Sequence, residues 1–184
     1  MASQPPYSIA PLGAQHDRAA FSCGEPSLDS YLQRQASQDV RRDLAACYVL
    51  TRGDSATIIG YYTLSASSIE LIGLPPELVK KSGRYPLVPA VLLGRLAVDQ
   101  RFQGQGMSGL PLMDALRRAL RTGVGVKLMI VDALNDSAAR FYEHYDFRRF
   151  ADQPMRLYLP LSAIRDLFPE DAPPGHSEGG KPAQ

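Results

Sequence analysis

One stretch of this chain restricts its fold more than any other. Residues 88–98 (VPAVLLGRLAV) form a nearly unbroken apolar run, and Asp99-Gln-Arg-Phe-Gln-Gly-Gln-Gly-Met-Ser-Gly109 follows at once. Val91 to Val98 predicts a central strand, and the pattern over about 110–121 predicts a helix. A strand that enters a glycine-rich turn and leaves it as a helix exposes several backbone N–H groups at one spot, at the positive end of the helix dipole. Such a nest holds phosphate without a lysine, and glycine lets phosphate oxygens approach the backbone closely. A second apolar run, Val126–Ala133 (VKLMIVDA), reads as a strand buried on both faces. Asn135 or Asp136 then caps a helix reaching about Tyr145, and Arg156–Leu161 alternates as a last strand.

The first half reads differently. Tyr7–Leu12 suggests a short strand, and Ser27 an N-cap with Asp29 in the first turn and Leu28, Tyr31 and Leu32 on one helix face. That helix continues, or breaks, into Gln38–Leu44. Cys47–Thr51 and Thr57–Leu64 read as antiparallel neighbours around Gly53-Asp54. Pro75, Pro76, Pro86 and Pro89 punctuate a connection holding a short helix, Glu77–Lys81. An antiparallel first half joined to a β-loop-α-β-α-β second half predicts an α/β (α+β) fold with one mixed central sheet flanked by helices.

At 184 residues the chain has the size of one domain, expected over 1–168. Residues 169–184 (PEDAPPGHSEGGKPAQ) carry no apolar side chain larger than alanine or proline and read as a disordered C-terminal tail. No run of about 18 apolar residues suggests a membrane span, and no signal peptide is evident. Cys23 and Cys47 alone make no disulfide framework and suit reduced thiols in a cytoplasmic protein. A net charge of +1 argues against a uniformly basic nucleic-acid binder, although 16 of the 20 basic residues are arginine, which suits bidentate phosphate contacts. His16 and His144 with the cysteines have no metal-ligand spacing, so no metal is expected.

Read literally, Gly104-x-Gly106-x-x-Gly109 matches a dinucleotide fingerprint, with Asp132 near the place of a ribose-binding acid. Five residues, Asp99 to Gln103, separate strand from first glycine, and the antiparallel first half does not suit a doubly wound sheet. No Gly-Lys-Ser/Thr follows, which excludes a nucleoside-triphosphate P-loop.

The wider window favours another reading. Arg101-Phe-Gln-Gly104-Gln-Gly106, after a strand ending Leu-Ala-Val-Asp, resembles the pyrophosphate loop of the GNAT N-acetyltransferase superfamily. Asn135-Asp-Ser-Ala-Ala-Arg-Phe-Tyr-Glu-His-Tyr-Asp-Phe147 resembles that superfamily's Asn-x-x-Ala-x-x-Phe-Tyr-x-x-x-Gly-Phe segment. Residues 21–32, Gly60–Ala66, Arg84-Tyr-Pro and Leu93–Asp99 are similar to the toxin branch found in bacterial type II toxin–antitoxin systems. The likeness spans roughly Ser8 to Leu161. Ser108, Pro111 and Asp146 depart from the pattern; Pro111 is tolerable in a first helical turn, and Asp146 is expected in a left-handed conformation.

The resemblance implies an acetyl-CoA-dependent N-acetyltransferase that acetylates the α-amino group of aminoacyl-tRNA and blocks translation. It implies a homodimer checked by a ribbon-helix-helix-type antitoxin. Leu96, Ala97 and Val98 would pair with the pantetheine arm and polarise the carbonyl. Arg101, Gln103, Gly104, Gln105, Gly106, Met107, Ser108 and Gly109 would face the pyrophosphate, and Asn135 and Phe141 would line the arm. Tyr142 would be the general acid, with Glu143 and His144 as weaker acid–base candidates. Arg41, Arg42, Lys80, Lys81, Arg84, Arg148 and Arg149 would form a tRNA surface. Two alternatives stay open: the same chemistry on a small-molecule or protein amine, and a non-catalytic acyl-CoA-binding regulatory module.

Overall fold

A computed structural model describes residues 6–171. Seven strands form one mixed sheet in the order β1-β2-β3-β4-β5-β7-β6. They are β1 Ser8–Pro11, β2 Ala46–Thr51, β3 Gly60–Glu70, β4 Leu87–Val98, β5 Leu128–Asp132, β6 Arg148–Arg149 and β7 Arg156–Pro160. Only β4 and β5 pair in parallel; every other neighbouring pair is antiparallel. The expected mixed α/β sheet is therefore present, with longer β3 and β4 than the sequence suggests. The extra length comes from Ser65–Glu70 and Leu87–Ala90, a ladder along which more and less exposed side chains alternate.

The helices are α1 Pro26–Ser30, α2 Ala36–Arg41, α3 Pro76–Lys80, α4 Gly109–Leu120, α5 Asp136–His144 and α6 Leu161–Leu167. Ser27 is not a cap: Glu25 takes the N-cap position and Pro26 the first turn, where its missing N–H costs nothing. A π-helical segment, Tyr31–Gln35, joins α1 to α2, so one helix is neither continued cleanly nor broken. Asn135 caps α5, its Oδ1 accepting from Ala138 N–H at 2.9 Å. Asp146 has φ of 66°, the left-handed turn expected of it. Pro169–Asp171, assigned to the tail by composition, instead form a 3-10 turn. Asp171 ties this turn to α4 through ion pairs with Arg117 (2.5 Å) and Arg121, because two guanidiniums there require a carboxylate. Residues 172–184, the rest of that expected tail, lie outside the described residues.

Strand alternation divides the core. On one face Tyr62, Leu93, Met129, Val131, Leu157 and Leu159 pack under the apolar stripes of α4 (Leu112, Ala115, Leu116, Ala119), α5 (Ala139, Tyr142) and α6 (Leu161, Ile164). The other face carries two clusters. Val49, Ile58, Tyr61 and Ala97 pack under the α1–α2 segment, while Val88, Ala90, Leu128 and Ile130 pack under α3.

A bulge sits inside β4. Thr63 lies opposite Arg95 and Leu64 opposite Leu93, leaving Gly94 as the additional residue. A Cβ at Gly94 would stand 3.0 Å from the Oγ1 of buried Thr63. The inserted residue resets the alternation, so Leu93 and Leu96 face the α4–α5 side while Ala97 faces the α1–α2 side.

Candidate active site

Beyond the bulge β4 loses one neighbour. The parallel ladder with β5 runs only from Ala90–Leu128 to Leu93–Val131, whereas β3 accompanies β4 to Val98. Asp99 N–H donates to Ile59 O at 2.8 Å, so Asp99 and, by alternation, Ala97 address β3. Leu96 and Val98 therefore present their backbone groups to the opening between β4 and β5. Val98 O accepts from Gln103 Nε2 at 2.8 Å on that side. Of the three strand residues expected along the pantetheine arm, Leu96 and Val98 face the opening through their backbone and Ala97 does not.

The opening leads into the glycine turn. Gly104 and Gly106 have φ of 73° and 74°, and nothing lies within 4 Å of a Cβ built on either. The amides of Gly104, Gln105, Gly106, Met107 and Ser108 meet no acceptor among the described residues. Ser108 heads α4 with its hydroxyl free of any capping bond, and Pro111 lies buried in the first turn. A Cβ at Gly109 would meet the Tyr145 hydroxyl at 2.6 Å, so this third glycine lets α4 and α5 approach. Unpaired amides, open space where side chains would stand and a helix N-terminus suit a diphosphate such as that of coenzyme A.

Two residues expected at that diphosphate, Arg101 through its guanidinium and Gln103 through its N–H, have side chains bonded within the protein. Arg101 grips Asp99 through Nε at 2.8 Å and an Nη at 3.0 Å. Gln103 donates from its amide to Cys23 O and Val98 O, both at 2.8 Å. Both fasten the turn, because a loop of glycines has no packing of its own to define its shape. Asp99, which sequence reasoning passed over, is the hub: 1% exposed, it also accepts from Ser22 N–H (3.1 Å) and Arg101 N–H (2.9 Å). Burial pushes its carboxyl up, but the bonds from Arg101 and Ser22 outweigh this and hold it below the usual carboxylate value. Gln100 N–H donating to Ser22 O completes the clip between this turn and the segment before α1. Asp132, which the dinucleotide reading needs for a ribose, is bound at 2.7 and 2.9 Å by Arg156.

On α5, Tyr142 is buried, with ring centroids 5.2 Å from Phe141 and 5.5 Å from Phe147. Its hydroxyl has no hydrogen-bond partner among the described residues, yet no fully enclosed side-chain oxygen lacks one, so it reaches accessible space. Burial raises this phenol's pKa above its ordinary value, keeping it protonated. Phe141 is half-buried between Tyr142 and Tyr145. Asn135 is exposed, and its side-chain oxygen is committed to the cap rather than free to line an arm.

The expected tRNA residues fall into separate groups. Arg41 and Arg42 are exposed where α2 ends; Lys80, Lys81 and Arg84 are exposed around α3. Arg148 is exposed, with Glu77 at 3.8 Å. Arg149 is not free: Glu143 accepts from it at 2.7 and 3.2 Å, and Asp136 at 3.4 Å, since β6 places it directly beside α5. Its hydrogen bonds hold Glu143 below the usual carboxylate range, which makes Glu143 a poor base. A cavity of about 830 Å³ lies between α3, β7 and α6 and contains no residue of the glycine turn. Among the described residues no group of three or more His, Cys, Asp and Glu is placed to hold a metal, and no helix is long and apolar enough to cross a membrane.

No family model matches the chain. It is 31% identical over 170 residues to a probable toxin TacT of Sinorhizobium fredii, covering 87% of this chain and 94% of that protein. It is 35% identical over 154 residues to a tRNA-acetylating toxin of Mycobacterium tuberculosis, covering 83% and 90%. Among solved structures, AtaT complexed with acetyl-methionyl-tRNAfMet matches with a TM-score of 0.81 and 32% identity, over 88% of this chain and 99% of that one. A tyrosine-to-phenylalanine mutant of AtaT, bound to the C-terminus of the antitoxin AtaR and acetyl-CoA, matches with a TM-score of 0.76 and 28% identity, over 89% and 99%.

Proposed function

The chain belongs to the GNAT-type tRNA-acetylating toxins of toxin–antitoxin systems, and from that membership and the geometry above we propose that it moves acetyl from acetyl-CoA to the α-amino group of an aminoacyl-tRNA. The observation that carries this reading is the half-unpaired end of β4 running into a turn of free amides, with a buried phenol on the adjoining helix. Amides of the turn hold the diphosphate, and the exposed edge at Leu96 and Val98 takes the pantetheine arm as an added strand. The bound coenzyme supplies an acyl thioester. Leu96 N–H donates to its carbonyl oxygen as charge develops there.

When the acceptor nitrogen bonds to the carbonyl carbon and the carbon–sulfur bond breaks, Tyr142 gives its proton to the departing thiolate. The raised phenol pKa makes that transfer uphill, since reference values are about 10 for phenol and ~8.5 for thiol. The same apolar surroundings raise the basicity of the thiolate, which offsets part of the difference. Water takes the amine's proton, because Glu143 is bound by Arg149.

The reading includes a cytoplasmic site of action, a cognate antitoxin of the ribbon-helix-helix type and a homodimer. Ile72, Tyr85 and Leu87, exposed together where β3 ends and β4 begins, offer an apolar surface for a second copy. The direct test is incubation of the purified protein with acetyl-labelled acetyl-CoA and total charged tRNA. Label should appear on the amino acid and leave the tRNA with it on mild alkaline deacylation. Label on free amines without tRNA dependence would instead favour a small-amine acetyltransferase. A melting temperature raised by acetyl-CoA without any transfer would favour a non-catalytic module.

A further inference from the structure

Arg95 interrupts an otherwise apolar strand, and its surroundings are unusual. Its guanidinium carbon lies 3.5 Å from the centroid of the Tyr31 ring, so the two planes are stacked. Tyr31 is itself fixed: 4% exposed, it donates from its hydroxyl to Asp39 Oδ2 at 2.9 Å. It also begins the π-helical segment, whose Ala36 N–H reaches back to Tyr31 O. Such segments give up regular helical hydrogen bonding and are frequent at functional sites.

The guanidinium makes no ion pair and no hydrogen bond with any described residue. Of the six other half-buried arginines, four have carboxylate partners (Arg117 with Asp171, Arg118 with Asp114, Arg149 with Glu143, Arg156 with Asp132), Arg18 donates to Ser37, and Arg165 alone likewise lacks a partner among the described residues. Among the described residues no enclosed side-chain nitrogen lacks a partner, so the Arg95 donors reach accessible space. A cation held rigid on one face, with its in-plane N–H groups uncommitted, is prepared to bind two oxygens of a phosphate side by side.

Its position says which phosphate. Arg95 directly precedes Leu96, whose backbone faces the opening, and the bulge at Gly94 turns it to the α1–α2 face. Tyr142 and α4 occupy the opposite face. With the coenzyme in the opening and its own helices covering one side, an acceptor amine approaches from the side where Arg95 and Tyr31 lie. We propose that Arg95, laid flat on Tyr31, grips a phosphodiester in the single-stranded 3′ end of the acceptor RNA and so sets the depth to which the aminoacyl group enters. This rests on the function proposed above.

The test compares wild type, Arg95→Gln and Arg95→Lys on two acceptors: charged tRNA, and an aminoacyl-adenosine carrying the same amine and ribose but no phosphodiester. Arg95→Gln should raise the KM for charged tRNA by roughly 10- to 100-fold, the loss of one charge-assisted contact. The KM for aminoacyl-adenosine and the melting-temperature rise given by acetyl-CoA should stay as in wild type. The dependence of log KM on log salt should flatten by about 0.7, as for one phosphate contact on a single strand. Arg95→Lys should recover only part of the loss, because lysine keeps the charge without the planar fork. Equal losses on both acceptors, an unchanged KM for tRNA, or a lost response to acetyl-CoA would each overturn the assignment. If wild type itself leaves charged tRNA unmodified, the function proposed above falls first and takes this role with it.

Discussion

The two parts of β4 are continuous in sequence and opposite in character. Ala90–Leu93 have a neighbour on each side, β3 and β5, and their side chains are packed into cores above and below the sheet. Gly94–Val98 have β3 alone, and two of their residues turn backbone groups toward an opening. The closed part carries stability and the open part carries chemistry, although apolar content hardly changes between them. What separates them is one inserted glycine and the point at which β5 diverges.

The sharpest break of this contrast is chemical. Tyr142→Phe keeps the ring packing and removes only the proton, so kcat for acetyl transfer should fall by roughly 10²- to 10⁴-fold with the melting temperature nearly unchanged. Stopped-rate assays on charged tRNA measure this directly, and retained activity would remove the phenol from the mechanism.

Next in size is a pair of prolines. Leu96→Pro deletes an N–H that faces the opening, so the ladder stays intact while kcat should drop by about 10²- to 10³-fold. Ala97→Pro deletes an N–H addressed to β3 and should instead prevent folding. Circular dichroism beside activity separates the two, and similar behaviour of both variants would refute the alternation derived for this edge.

In the closed part, Leu93→Ala should cost about 2–5 kcal/mol of stability, read from denaturant midpoints, with little change in kcat at temperatures where the protein is folded. The smallest effect belongs to the hub beside the open part. Asp99 has its pKa lowered by folding, so its contribution is complete above the unfolded value near ~3.9 and is lost as pH falls through the folded value. Asp99→Asn should therefore lower stability by about 2 kcal/mol at pH 7 and flatten the acid limb of the stability–pH profile.

Much of this was legible from residue order. The closed part of β4, β5 and the stripes of α4 and α5 follow from apolar runs and from helical spacing, since burial dictates those residues. The glycine turn was legible because positive φ and unobstructed amides demand glycine itself. The bracing by Arg101 and Gln103 was not legible, because a residue beside a ligand loop looks alike in sequence whether it touches the ligand or braces the loop; the bracing shows only in the position of Asp99 and Cys23. β6 has two residues and α6 seven, too short for periodicity to register. Besides Asp99, a signal passed over was an arginine within the run 88–98, a placement that needs an explanation wherever a strand is otherwise apolar.

Gly94 has a wider consequence for how this strand tolerates change. Along an extended chain the sides are assigned by counting, as with odd and even house numbers, and the extra residue makes the count skip once. Deleting it would remove the skip together with the residue: Leu93 and Arg95 would become successive, Arg95 would keep the α1–α2 side, Leu96 would keep the α4–α5 side, and the ladder with β3 would run without interruption. A one-codon loss there should thus cost only the local bend, whereas one residue added between Leu96 and Ala97 would reverse the street rather than alter one address.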